Sequence, residues 1–405
     1  MNRYNCEVKS LKGSLVTQVL TYMLLFGIFI FFVGVQLFPT DSKWHTQLYI
    51  FLYLPVTLLI FLESNLFFGF FKEQSVKLLT ILLCYFAISS AWGSEELSFG
   101  QIKKALMVFL FIYAVYYLVV RVTDIQRIAM IAVGLAALTS LYSIYNYGVE
   151  TDFSFGGRFV GLGILSNPLL SSHYFGFLCV FSLGLLLLSE EPPKKVILLL
   201  CVVVFFVCTF LTKSRTPLVG FFGVILVLLI ITFFYKRKTV LKTIFYILVT
   251  LLTIVIIAWE DIAARGVSHR PEIWSEAIKL IFDELWLGYG LGAEFKIYLQ
   301  SIKQSFYDPH NIHLGILYHF GFVGFLGWVL TLFLLTIKAC KKGNYILTFV
   351  GLPLLVYGVF GGISEGGNVV SRPKEVWYIS WVPIALTIAF ISCSNQNKIT
   401  KKQSV

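Results

Sequence analysis

The stretch Asp308-Pro309-His310-Asn311-Ile312-His313 gathers two imidazoles and a carboxylate within six residues. A neutral His310 could take a proton from a hydroxyl nucleophile at physiological pH, where imidazole changes charge. Asp308 could orient that imidazole, with Pro309 standing between them. His313, one turn along, falls near the same face. The plain alternative is a structural His310 that caps the helix it introduces. Two arginines offer complementary chemistry, since a guanidinium fork suits bidentate binding of phosphate. Arg215 lies in Thr212-Lys213-Ser214-Arg215-Thr216-Pro217, a very short turn between two apolar runs. Its alternative is an ordinary loop arginine snorkelling to lipid headgroups. Arg270 sits in Ser268-His269-Arg270-Pro271-Glu272, which reads as a helix start: Ser can cap, and Pro is tolerated in the first turn. Free N–H groups and the helix dipole already favour an anion there. The segment around it, from 259 to 312, holds eight acidic and five basic residues, so Arg270 is one placed cation rather than part of a basic cloud.

Weaker candidates are Arg158, in Phe155-Gly156-Gly157-Arg158-Phe159-Val160-Gly161, and Arg372, which follows Gly361-Gly362-Ile363-Ser364-Glu365-Gly366-Gly367-Asn368. Glycines there either let backbone approach a ligand or simply make a flexible loop. His319 reads as a packed core residue, and His45 and His173 as structural. There is no P-loop, no paired-carboxylate motif, no nucleophile elbow and no Cys/His spacing suited to a metal. The seven cysteines fall in apolar runs or in segments placed at the cytoplasmic side, so no disulfide framework is expected.

These residues have to be held by an unusual chain. Of 405 residues, 58% are hydrophobic and 13% charged, against about 25% charged in a soluble domain. That composition marks a polytopic membrane protein. The formal charge of +11 lies in short turns, with no basic stripe interleaved with aromatics, so nucleic-acid binding is excluded. A helix needs about 20 apolar residues to cross a bilayer. On that measure the chain offers about twelve spans, near 14–37, 46–62, 76–92, 105–121, 126–145, 168–188, 196–212, 216–235, 240–258, 313–337, 344–361 and 376–393. The N-terminal apolar run lacks a small-residue cleavage site and is taken as a retained first helix. Placing the N-terminus inside puts 19 Lys and Arg in cytoplasmic segments and 8 in short outer loops, which favours cytoplasmic N- and C-termini.

The chain then divides into spans one to nine (1–258), a long outer segment carrying the candidate chemistry (259–312), and spans ten to twelve with a cytoplasmic tail (313–405). In the outer segment, Ile273, Trp274, Ala277, Ile278 and Ile281 recur at helical spacing. The glycines of Leu287-Gly288-Tyr289-Gly290-Leu291-Gly292 break that helix, and a second helical stretch is expected near 294–304. No internal repeat or inverted pair of broken helices marks a secondary transporter. The spans also lack the buried charges that an ion or proton path needs.

Ser214-Arg215 after a span, Arg270-Pro271-Glu272-Ile273-Trp274 followed by Gly288-Tyr289-Gly290-Leu291-Gly292, and Pro309-His310-Asn311 entering a helix that continues to Gly321-Phe322-Val323-Gly324 form a pattern. It resembles the O-antigen ligase/O-antigen polymerase superfamily, with the lipopolysaccharide O-antigen ligases the nearer branch. Thr216-Pro217 after Arg215 departs from that pattern, where Gly or Ala is more usual.

The resemblance implies an all-α, GT-C-like fold with one large periplasmic loop, in the bacterial inner membrane with the active site at the periplasmic face. It implies a glycosyltransferase using no cofactor, metal or nucleotide sugar. The ligase moves O-antigen polysaccharide from undecaprenyl pyrophosphate to a sugar hydroxyl of lipid A–core. Carried over by motif, Arg215 and Arg270 bind the pyrophosphate, and His310 is the general base. Arg158, His313, Asp308 and Arg372 are further candidates. The polymerase and a protein O-oligosaccharyltransferase use the same donor and remain alternatives. A flippase or exporter of lipid-linked oligosaccharide is the alternative of another class.

Overall fold

The structure, a computed structural model, describes residues 14–93, 99–154, 157–235, 268–340 and 344–403. Among these, nine helices are long and apolar enough to cross a membrane. They are α1 (Leu15–Gln36), α2 (Asp41–Leu62), α3 (Gln74–Gly93), α4 (Phe99–Arg121), α5 (Ile125–Glu150), α6 (Pro168–Leu188), α7 (Pro192–Leu211), α8 (Thr216–Phe234) and, later, Ile312–Ala339. Before that last helix come α9 (Arg270–Asp283) and the strands β1 (Ile297–Leu299) and β2 (Gln304–Phe306). Ile312–Ala339 is therefore α10. Two shorter apolar helices follow, α11 (Leu347–Gly362) and α12 (Trp381–Ser394). The chain is an all-α polytopic membrane protein. The expected span 240–258, with residues 259–267, lies outside the described residues. The apolar stretch after α2 forms a separate short helix, Ser64–Phe70.

Two π-helical stretches have a covalent cause. Tyr49–Tyr53 in α2 and Leu347–Gly351 in α11 are π-turns, and each ends two residues before a proline, Pro55 and Pro353. Proline has no N–H for the carbonyl four residues back and clashes with it. One wider turn accommodates both problems.

The core runs through α6, whose residues Ser171 to Leu185 are all buried against α5, α7, α8 and α11. Small residues along α6 permit that close approach. A second, smaller core sits at one end of the bundle. There Ile273, Ala277 and Ile281 of α9 pack on Phe295, Ile297 and Leu299 and on Tyr318 of α10. Ile278, on the same expected apolar face, is instead exposed. α9 thus faces the hairpin and the start of α10.

The second helix expected near 294–304 is not formed. Residues there make an antiparallel hairpin in which Ile297 pairs with Phe306 and Leu299 with Gln304. The reason is periodicity: Ile297, Tyr298 and Leu299 alternate buried, exposed, buried, the period of a strand. Cys393 departs from the expectation of no disulfide, being disulfide-bonded, while Cys84, Cys179, Cys201, Cys208 and Cys340 are free.

α10 is broken at Gly321, which has φ 58° and ψ −166°. The break frees the N–H groups of residues 322 and 323 and the carbonyls of 318 and 319. Each finds a partner in the glycine-rich segment before the hairpin. Phe322 N donates to Leu285 O (2.8 Å) and Val323 N to Trp286 O (3.3 Å), while Tyr289 N donates to Tyr318 O (2.9 Å) and Gly290 N to His319 O (2.7 Å). Tyr85 and Trp92 of α3 close over the junction, donating to Phe320 O (3.0 Å) and Gly288 O (3.1 Å). The glycines after α9, which ends earlier at Asp283 with Glu284 as its cap, therefore complete a split helix.

Candidate active site

His310 is held by a turn rather than by a helix. Its backbone is left-handed (φ 50°), and its N–H donates to Asp308 Oδ1 at 2.7 Å, an Asx-type turn. The cap of α10 is the next residue: Asn311 Oδ1 accepts from His313 N (2.9 Å) and Leu314 N (3.1 Å). With the cap supplied by Asn311, the structural reading of His310 loses its function. Trp274 of α9 donates from Nε1 to Pro309 O at 3.0 Å and ties the turn to the smaller core.

The imidazole is oriented by Glu365, on the turn that follows α11. His310 Nδ1 lies 3.1 Å from Glu365 Oε1 and 3.9 Å from Asp308 Oδ1. Asp308, the carboxylate expected to orient the ring, instead bonds the His310 backbone. The other oxygen of Glu365 accepts from Arg270 Nη2 at 3.0 Å. Glu365 is 3% exposed, so one buried carboxylate clamps the imidazole and the guanidinium together. Ser364 Oγ reaches Thr216 O at 3.3 Å and fixes the turn against the start of α8.

The electrostatics follow from this arrangement. Burial alone would raise the Glu365 carboxyl, but the His310 hydrogen bond and the His310 and Arg270 charges outweigh it. The carboxyl is held below the ordinary glutamate range. An ionised carboxylate only accepts, so Nδ1 carries the proton and Nε2 keeps the lone pair. The same hydrogen bond raises His310 above the usual imidazole value, against the opposing effect of burial. Burial lowers Arg270, Glu365 raises it, and the nearby charge of Arg215 lowers it further. The His310 side chain is 31% exposed, which leaves it open to a reactant.

Of the other residues singled out from the sequence, Arg215 is exposed at the start of α8, close enough to act on Arg270. Arg158 is exposed, and its Nε donates to Thr212 O at 3.0 Å, docking its loop on the turn that carries Arg215. His313 Nε2 donates to Val359 O at 3.1 Å and ties α10 to α11. Arg372 is exposed on a loop whose Pro373 carbonyl accepts a hydrogen bond from His45 Nε2. Sequence reasoning missed Glu365 as a functional residue. The available signal was modest: it is the one acid in an eight-residue stretch, Gly361 to Asn368, that holds four glycines. No group of three potential metal ligands occurs among the described residues. The arrangement offers a base fixed in one tautomer, a carboxylate behind it and two cations beside it, which suits proton removal next to a developing anion.

Comparison with known proteins bears on this site. Residues 200–329 match the family described as O-antigen ligase, a stretch containing Arg215, Arg270 and His310 but not Glu365. Over 351 residues, 86% of this chain and 85% of the relative, the sequence is 28% identical to the O-antigen ligase of Pseudomonas aeruginosa strain PAO1.

Proposed function

We propose that this chain, which is similar over residues 200–329 to the O-antigen ligase family and over most of its length to an O-antigen ligase, transfers O-antigen polysaccharide from undecaprenyl pyrophosphate to a sugar hydroxyl of lipid A–core. It is a multi-pass bacterial membrane protein. In this reading it has twelve spans in a GT-C-like arrangement, sits in the inner membrane with both termini cytoplasmic, and presents 259–312 at the periplasmic face. The observation that carries the reading is the double clamp of Glu365 on His310 Nδ1 (3.1 Å) and Arg270 Nη2 (3.0 Å).

The chemistry balances with these residues. His310 Nε2 takes the proton of the acceptor hydroxyl as its oxygen attacks the anomeric carbon. The bond from that carbon to the pyrophosphate oxygen breaks, and the pyrophosphate leaves with the electron pair. Arg215 and Arg270 hold the charge that develops on it. Glu365 keeps Nδ1 protonated and stabilises the imidazolium that forms, the role a carboxylate plays behind a catalytic histidine. The scheme calls on no metal or cofactor. Arg158 supports the turn carrying Arg215, and His313 the joint between α10 and α11.

Arg215→Lys is expected to reduce transfer on the order of tenfold, because a single ammonium cannot replace the guanidinium fork on a diphosphate. In vitro transfer with purified donor checks it; full activity would reduce Arg215 to a generic charge.

The reading itself is tested by lipopolysaccharide banding in a strain deleted for this gene, with the lipid-linked pool examined alongside. Long polymer accumulating on undecaprenyl pyrophosphate over bare lipid A–core is the expected result. A single repeat unit on lipid A–core, with long chains missing, would instead indicate the polymerase. Undecaprenyl-linked repeats retained at the cytoplasmic face would indicate a flippase.

A further inference from the structure

A second group of cations lies away from the Glu365 clamp. Lys103 and Lys104 stand in the first turns of α4, and Arg372 and Lys374 flank Pro373 on the loop before α12. One face of α2 joins the two pairs. His45 and Tyr49 are four residues apart and share that face. His45 Nε2 donates to Pro373 O at 2.8 Å, and the Tyr49 ring lies 4.6 Å from Lys103 Nζ. The loop is further pinned by Trp377 Nε1 on Ser371 Oγ (3.3 Å) and Trp381 Nε1 on Val369 O (2.8 Å).

None of the four cations forms an ion pair among the described residues. Among the described residues, Lys374 acts on the carboxylates of Glu375 and Asp308. Lys374 acts on Asp308, whereas Arg215 acts on Arg270. The two cation sets thus reach the His310 turn through different neighbours. Phe99 (83% exposed) and Leu106 (53%) bracket Lys103 and Lys104, which puts the ammoniums at an apolar–polar boundary, the level of a lipid headgroup.

We propose that Lys103, Lys104, Arg372 and Lys374 form a second anion subsite, which holds the phosphorylated saccharide headgroup of the acceptor glycolipid beside His310. This rests on the transfer reaction proposed above and names the acceptor side of the same site. In this arrangement donor pyrophosphate meets Arg215 and Arg270, and acceptor phosphate meets the second set. All four serve here through their positive charge.

The test uses the full-length protein in nanodiscs and the quadruple variant Lys103→Gln, Lys104→Gln, Arg372→Gln, Lys374→Gln. A second variant, Arg372→Lys with Lys374→Arg, keeps the charge and guards against misfolding. Binding is measured for lipid A–core, for its enzymatically dephosphorylated form, for inorganic phosphate and for vesicles of phosphatidylglycerol. The expected result is an acceptor KM raised on the order of tenfold or more in the quadruple variant, with the donor KM unchanged and the charge-keeping variant near wild type. Dephosphorylated acceptor is expected to bind both proteins with equal, weaker affinity.

An unchanged acceptor KM, or equal wild-type affinity for phosphorylated and dephosphorylated acceptor, overturns the subsite and leaves the transfer reaction standing. Inorganic phosphate binding as tightly as the glycolipid overturns it in favour of a free-phosphate site. Phosphatidylglycerol binding as tightly overturns it in favour of a general bilayer contact. A wild-type protein that transfers nothing to lipid A–core overturns the transfer reaction itself.

Discussion

His310→Ala is expected to abolish polymer transfer, a loss of roughly 10²–10⁴-fold, while the protein stays folded and inserted. The side chain is partly exposed, and neither the cap of α10 nor the Asx-type turn depends on its ring. Glu365→Gln is expected to cost on the order of 10²-fold through the same group, because an amide no longer dictates which imidazole nitrogen is protonated. If Glu365 acts through His310, the double variant falls no further than His310→Ala alone. A double variant clearly slower than His310→Ala would mean that Glu365 acts mainly through Arg270.

The pH profile separates the roles further. Glu365 raises His310 above its ordinary value of about 6.5, and the base works only when neutral. Activity is therefore present above the raised value and is lost as pH falls through it. Glu365→Gln removes the main cause of the rise, so the acid limb is expected to move to lower pH even as the plateau drops. An acid limb that stays in place would detach Glu365 from the titration of His310.

Gly321→Ala is expected to destabilise the fold by roughly 4 kcal/mol or more, seen as a fall in thermal stability and loss of monodisperse protein in detergent. Its φ of 58° and ψ of −166° belong to a region that residues with a side chain essentially avoid. A Cβ at 321 would also lie 2.6 Å from Gly288 N, and one at Gly288 would lie 2.7 Å from the His319 carbonyl carbon. The two backbones touch because each supplies the hydrogen bonds that the broken helix lacks. In an apolar surrounding, every such group left unmet costs several kcal/mol. Gly134→Ala in α5 is the control, since a Cβ there meets nothing within 4 Å. Equal stability of the two variants would show that the split in α10 does not anchor the segment after α9.

Much was determined by local sequence. Among the described residues, apolar runs of bilayer length form helices, because a chain in lipid has to satisfy its own backbone hydrogen bonds. Arg270-Pro271 announces the start of α9 through rules that act within one turn. His310, Arg215 and Arg270 stood out because residues of their type are costly inside such a chain and were gathered in few places.

What tertiary structure alone decided is the partnership. Glu365 lies 55 residues beyond His310 and 95 beyond Arg270, and it meets them only because α11 packs against α8 and α10. No periodicity carries that information. Asp308 was the nearer carboxylate in sequence, but its side chain is taken up by the backbone of its own turn. The split of α10 was hidden for the same reason. A single glycine in a greasy helix is ordinary, and only the approach of residues 285–290 turns Gly321 into a break whose polar groups are all met.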